Sequence, residues 1–319
     1  MHAEGSGQPR AVTEEFLRDW PLPEPGEDKE ARGRTLIIGG TALTPGAVVL
    51  AGEAALRAGA GKLQIVTAQP VAAALAVAVP EALVVPMAVD RDGNLDPEAA
   101  GRVHALADDA DAVLLGPGFS DAEASADLLT RLLPDLQCPV VLDAVATAYL
   151  TRHRDGVAHL AGRAVVTMNP TELTRVLRSD TERTGHETLE ATRRLSEQTR
   201  AVLLIGGQDK LVAAPSRAAW LIARGGRGLG VSGSGDVQAG LVVGLLSRGA
   251  PADQAAVWGG FLHGAAGDDL AGRIGTLGFL AREIGPCVPP LLDRLARPSN
   301  DRVPTSDRAA DEQVARVRP

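Results

Sequence analysis

From position 34 onward the chain repeats one pattern: a short run of apolar and β-branched residues, a Gly or Pro, then an Ala- and Leu-rich stretch at helical spacing. Few folds accommodate that alternation. The runs at 34–38, 62–67, 82–87, 111–115, 140–142, 164–168 and 201–205 are mostly apolar on consecutive positions, which predicts strands covered on both faces. Helical stretches at 46–58, 71–79, 97–106, 122–133 and 189–200 lie between them, so right-handed βαβ crossovers are the economical connection. The expected fold is an α/β/α sandwich around a doubly wound, mostly parallel sheet.

After 205 the pattern changes. Short runs at 210–213 and 218–222, joined by a turn over 214–217, predict an antiparallel hairpin at the sheet edge. The segments 234–248, 251–271, 277–284 and 287–296 all read as helices. No linker divides 33–297, which is therefore expected to be one domain. Residues 1–32 are polar and rich in Pro and Gly, and 298–319 are charged without periodicity, so both are expected to be tails, the first with a short helix near 13–19.

Lys and Arg total 32 against 40 Asp and Glu, a net charge of −8, which lacks the basic footprint that nucleic acid or an anionic membrane attracts. Small molecules are the expected partners. The uncharged stretches 35–52 and 63–80 are broken by Gly39, Gly40, Pro45 and Gly46 and by Gln69 and Pro70, so neither is expected to span a membrane. Without a basic segment leading into an apolar one at the N-terminus, the expected location is cytoplasmic. Cys138 and Cys287, each beside a proline, are expected to be inert and buried.

Ligands of open α/β sheets bind beyond the carboxyl ends of the strands, which selects Gly39-Gly40-Thr41, Gly116-Pro117-Gly118, Asp143, Asn169 to Glu172, Gly206-Gly207 and the run 225–240. That run, GGRGLGVSGSGDVQAG, is the most informative. Glycines at 228, 230, 233 and 235 let backbone N–H groups turn inward, and a helix starting near Ser234 adds its positive end, which together make an anion site. Asp236 falls in the first turn of that helix, where it can take a proton from a hydroxyl attacking phosphorus. The same position would also suit an electrostatic helix cap.

Two motif matches are set aside. GLGVSG at 228–233 fits G-x-G-x-x-G but does not open a βαβ unit, and GAGK at 59–62 lacks the spacing and hydroxyl of a phosphate-binding loop. His104 and His263, inside apolar helices, read as structural side chains. No spacing for a tightly held transition metal occurs, whereas Mg²⁺ arriving with a nucleotide needs only one or two carboxylates, for which Asp143 and Glu172 are adequate.

The string GVSGSGDVQAGLVVGLLSRGA resembles the anion-hole helix of ribokinase-like enzymes. The segments 33–67, 78–87, 114–121 and 260–284 narrow the resemblance to NAD(P)H-hydrate dehydratases. The resemblance implies a lyase in which ADP or ATP, with Mg²⁺, phosphorylates the hydroxyl of the S epimer of hydrated NADH or NADPH. Loss of phosphate then restores the dihydropyridine, and AMP or ADP is released. It implies Asp236 as the catalytic residue. Ala47, Gly118 and Asn169 would contact the hydrated cofactor. Ile205, Gly206, Gly207, Gln208, Asp209, Gly233, Ser234 and Gly235 would bind the nucleotide, and the assembly would be a homo-oligomer, with a tetramer favoured.

The chain departs from the family pattern at four places. Asn169 stands for a His, Val145 for the second Asp of Asp-Ala-Asp-Ala, Ile205 for a Lys and Gly226 for an Asn. Loss of a Lys and a His removes charge-assisted donors, so a kinase of a small alcohol on the same fold and a nucleotide-binding relative with little turnover stand as alternatives.

Overall fold

The computed structural model describes residues 7–179, 185–216 and 218–296. Ten strands form one sheet: β1 (Arg10–Ala11), β2 (Arg34–Ile38), β3 (Lys62–Ala68), β4 (Ala82–Met87), β5 (Ala112–Leu115), β6 (Val140–Leu142), β7 (Ala164–Met168), β8 (Val202–Ile205), β9 (Lys210–Ala213) and β10 (Ala219–Ile222). Their order is β1-β10-β9-β8-β7-β6-β5-β2-β3-β4, and every pairing is parallel except β8 with β9 and β9 with β10. The seven consecutive apolar runs thus become the parallel body, and the predicted hairpin stands at one end of it.

The helices are α1 (Glu14–Arg18), α2 (Gly46–Arg57), α3 (Gln69–Ala78), α4 (Ala100–Ala107), α5 (Ala122–Leu132), α6 (Tyr149–Arg152), α7 (Pro170–Val176), α8 (Gly185–Thr199), α9 (Ser234–Ser247), α10 (Ala252–Arg273), α11 (Ala281–Ile284) and α12 (Val288–Ala296). Alternate strand residues separate two cores. Ile37, Leu114, Val141 and Leu204 face α2, α9 and α10. Leu36, Leu115, Leu142 and Ile205 face the layer that holds α4, α5, α7 and α8. Covering both faces lets these strands be apolar at every position.

Three expectations are corrected. Residues 7–32 do not form a tail: β1 pairs with β10, Val12 N–H donates to Leu221 O at 2.9 Å, and Leu17 of α1 is fully buried. Trp20 stacks on Trp220 with ring centroids 5.8 Å apart, so an aromatic contact holds what composition reads as polar. Second, β4 is not covered on both faces, because it is the last strand of the sheet and leaves Leu83 56% exposed. Third, the helix expected over 277–284 begins only at Ala281, after Gly275 and Gly278 take φ of +141° and +101°. The expected tail 298–319 lies outside the described residues. Cys287 is buried as expected, whereas Cys138 is half-buried; desolvation raises both thiols, Cys138 to about 11, which keeps them protonated.

Candidate active site

α9 is the central element of its layer, lying across β2, β5, β6 and β7. Its position is set by close approach to α2: a Cβ on Gly240 would come within 2.2 Å of Ala51 O. Only a glycine lets the two backbones meet there. The start of α9 is thereby fixed beyond the carboxyl ends of the strands, against a cavity of about 540 Å³. Asp143, which follows β6, Thr167 and Asn169 at the end of β7, and Gly206 to Gln208 after β8 line the opposite wall.

Gly233 precedes α9 with φ +89°, and a Cβ there would stand 2.4 Å from Leu50 Cδ1. A left-handed residue at this point turns the next amides toward the cavity. Ser234 N–H donates to Val231 O and Val237 N–H to Gly233 O, whereas the N–H groups of Gly235 and Asp236 have no partner among the described residues. Two free amides at the positive end of a 14-residue helix form an anion site.

Three carboxyl groups face this space. Burial, reinforced by the charge of Glu172, raises Asp236 to about 6. Asp143 is buried and pushed well above the usual carboxylate range, first by desolvation and then by Asp236, although Thr167 Oγ1 donates to its Oδ1 at 2.5 Å. Glu172 is raised by burial against the lowering effect of the Asn169 N–H, which it accepts at 2.9 Å. That bond is half of a capping box on α7, whose other half is Glu172 N–H donating to Asn169 Oδ1. An aspartate near neutrality beside free amides can accept a proton from a hydroxyl while the amides hold a neighbouring phosphoryl oxygen.

His263, in α10, is 4% exposed and also lines the cavity. Its Nε2 lies 2.9 Å from Ser234 Oγ and 3.0 Å from Ser234 O. A carbonyl only accepts, so Nε2 carries the hydrogen and Nδ1 is left bare; Nδ1 is buried without a partner. Burial and the charge of Lys210 lower His263 to about 3, so the ring is neutral. Sequence reasoning placed it correctly inside an apolar helix but did not connect it to Ser234. A polar residue in the apolar middle of this helix, between Gln254 and Asp268, was the available signal.

The structure separates the residues named from the sequence. Asn169, Gly206, Gly207, Gln208, Gly233, Ser234, Gly235 and Asp236 line one cavity. Ile205 does not: strand alternation turns its side chain into the core on the far face of the sheet, beside Leu203 and Leu211. Asp209 also lies off the cavity lining. Ala47 and Gly118 lie against each other outside that lining, since a Cβ on Gly118 would be 3.1 Å from Ala47 Cβ. Ala47 lies in the first turn of α2, after β2, and Gly118 in the loop after β5, where Thr44 Oγ1 donates to Gly118 O at 2.7 Å. Lys210, not singled out from the sequence, enters the cavity from β9.

The parallel sheet, its antiparallel end hairpin and the anion site at α9 define a ribokinase-like α/β enzyme. A sequence profile described as NAD(P)H-hydrate dehydratase matches residues 35–290. The chain is 45% identical over 292 residues to an ADP-dependent (S)-NAD(P)H-hydrate dehydratase from Xanthomonas campestris, covering 90% of this chain and 98% of that protein. It is 32% identical over 275 residues to a bifunctional NAD(P)H-hydrate repair enzyme from Moorella thermoacetica, covering 86% of this chain but 52% of that one. A ribokinase-like protein from Enterococcus faecalis superposes with a TM-score of 0.77 at 22% identity, covering 93% of this chain and 100% of that chain. An ADP/ATP-dependent NAD(P)H-hydrate dehydratase from Bacillus subtilis, co-crystallised with ATP/Mg²⁺, gives 0.70 at 25% identity, with 90% and 98% covered. The chain belongs to the NAD(P)H-hydrate dehydratase family.

Proposed function

We propose that this protein dehydrates the S epimer of hydrated NADH or NADPH at the expense of ADP or ATP, releasing AMP or ADP and phosphate. One observation carries the mechanism: Asp236, held near pH 6 by its surroundings, stands beside the unpaired amides of Gly235 and Asp236. The Asp236 carboxylate takes the proton of the ring hydroxyl as its oxygen attacks the terminal phosphorus. The bond from phosphorus to the departing nucleotide breaks, and the free amides hold the charge that develops on the transferring group. Phosphate then leaves the ring carbon, a proton leaves its neighbour, and the dihydropyridine double bond returns.

Gly206, Gly207, Gln208, Gly233, Ser234 and Gly235 are assigned to the nucleotide, and Ala47, Gly118 and Asn169 to the hydrated cofactor. Asp143 and Glu172 suit Mg²⁺, because raised carboxyl groups facing a shared cavity are relieved by a cation. That ion would neutralise phosphate charge as the nucleotide binds. No helix among the described residues is long and apolar enough to cross a membrane. A cytoplasmic homo-oligomer, with a tetramer favoured, completes the reading, and sedimentation measures the assembly.

The deciding assay mixes the protein with hydrated NADH, Mg²⁺ and ADP or ATP, and follows the near-ultraviolet absorbance of NADH. Recovery that requires the nucleotide supports the proposal. Phosphorylation of a small alcohol with no response to the hydrate overturns it.

A further inference from the structure

β9 begins at Lys210, directly after the turn that carries Gly206 to Gln208. Leu211 faces the far core and Val212 the α9–α10 core, so alternation turns Lys210 toward α10, the side opposite Ile205. The side chain is 2% exposed, yet it lines the same cavity as Gly235 and Asp236. Glycines make its channel. A Cβ on Gly260 would lie 3.7 Å from Lys210 Cδ, and one on Gly225 would stand 3.1 Å from Nζ. The stem therefore runs beside α10, and the ammonium ends over a bare stretch of backbone.

That ammonium is poorly matched within the protein. It has three hydrogens to donate, and one acceptor, Arg224 O at 3.0 Å, is present. No carboxylate lies within ion-pair distance of it among the described residues. Asp268, which attracts it through space, accepts instead from Gly225 N–H at 2.9 Å and from Arg224 Nη1 at 3.4 Å. A buried cation with two free hydrogens beside an anion site lacks an anionic partner.

We propose that Lys210 binds the phosphate chain of the nucleotide, its ammonium entering the cavity from β9 on the face of the sheet opposite that of Ile205. The proposal rests on the nucleotide reading above and adds to it a residue that sets affinity for phosphate. The groups facing Lys210 are Asp209 in the turn just before β9, Arg224 two residues beyond β10, and His263 and Asp268 of α10. Burial lowers its ammonium to about 8, so it is the group here whose charge is lost first as the solution becomes alkaline.

The test compares ADP and adenosine binding by calorimetry for the wild type, Lys210→Met and Lys210→Arg, with thermal melting as a check on folding. Met keeps the length of the stem without the charge, and loss of a charge-assisted contact in a desolvated site corresponds to about tenfold or more in affinity. The expected result is ADP binding weakened at least about tenfold in Lys210→Met, adenosine binding within about twofold of wild type, and partial recovery in Lys210→Arg. Wild-type affinity for ADP should also fall between pH 7 and 9.5, whereas that of the Met variant should not. Equal ADP affinity in wild type and Lys210→Met overturns the assignment and leaves the nucleotide reading intact. Equal losses for ADP and adenosine overturn it in favour of a structural lysine, and no ADP binding by the wild type overturns both readings. Should Lys210→Met not fold, the wild-type profile decides: ADP affinity flat from pH 7 to 9.5 overturns the assignment.

Discussion

His263 donates from Nε2 toward both oxygens of Ser234, the first residue of α9, at 2.9 and 3.0 Å. Because Ser234 Oγ accepts from the ring, its own hydroxyl hydrogen is free for the cavity. The histidine thus orients a donor at the cavity that it also lines.

His263→Phe should remove that orientation and leave the Ser234 carbonyl without its partner. We expect stability to fall by about 1–3 kcal/mol, and turnover by about tenfold, with His263→Gln recovering part of both. The pH dependence separates this role from general packing. The ring's folded value of about 3 lies below the usual 6.5, so the unfolded chain binds more protons between them. Stability should fall as pH drops from 6.5 toward 3, and the Phe variant should lose that part of the slope.

Asp236→Asn should lower turnover by roughly two orders of magnitude or more, with nucleotide affinity nearly unchanged. In the wild type, activity should rise as pH passes through about 6, because the base works only when deprotonated. The stability effect has the opposite sign. A carboxyl raised above its unfolded value of 3.8 favours the folded state at low pH and costs stability as pH rises through 6. Asn should therefore raise the melting temperature at pH 8 by about 2–4 °C. An unchanged or lower melting temperature would show that the carboxylate is better accommodated than its burial indicates.

Gly233→Ala brings a Cβ against Leu50 Cδ1 at a backbone angle of +89° that alanine rarely adopts. Expected are a loss of about 1–3 kcal/mol and a larger loss in turnover than in folding, since the shift moves the amides of Gly235 and Asp236. Leu50→Ala makes room and should restore part of the stability. If the double variant is no better than Gly233→Ala alone, backbone strain dominates over the clash.

Ala47→Leu fills the space between the start of α2 and the loop after β5, where Ala47 and Gly118 meet. If the hydrated cofactor binds there, its KM should rise by about tenfold or more while the KM for ADP stays within about twofold. Equal changes for both substrates would put the cofactor elsewhere.

The parallel strands β2 to β8 were legible because each is a mostly apolar run with its boundaries marked by Gly, Pro or charge, as in 34–38 and 164–168, whereas the two-residue β1 is too short to show a period. α6 and α7 were not read: Tyr149–Arg152 and Pro170–Val176 are too short to show a full helical period. Asp236 and the glycines before it were readable because an anion site at a helix start is local in sequence. Ile205 and Lys210 show the opposite case. The resemblance implies that 205 meets the ligand and nothing in the sequence singles out Lys210, yet strand alternation sends Ile205 into the far core and Lys210 into the cavity. The face that each strand presents depends on register with distant elements, here α9 and α10.

The docked N-terminal segment gives the protein a built-in optical probe. The sequence holds 3 tryptophans, at 20, 220 and 258, and all gather where that segment meets the core. Trp20 stacks on Trp220, and Trp258 Nε1 donates to Trp20 O at 2.9 Å. None of them lines the cavity that holds Asp236. Intrinsic emission from this chain therefore reports detachment of β1 and α1 rather than occupancy of the active site. A change in emission on adding nucleotide would mean that the β1–β10 edge of the sheet has responded.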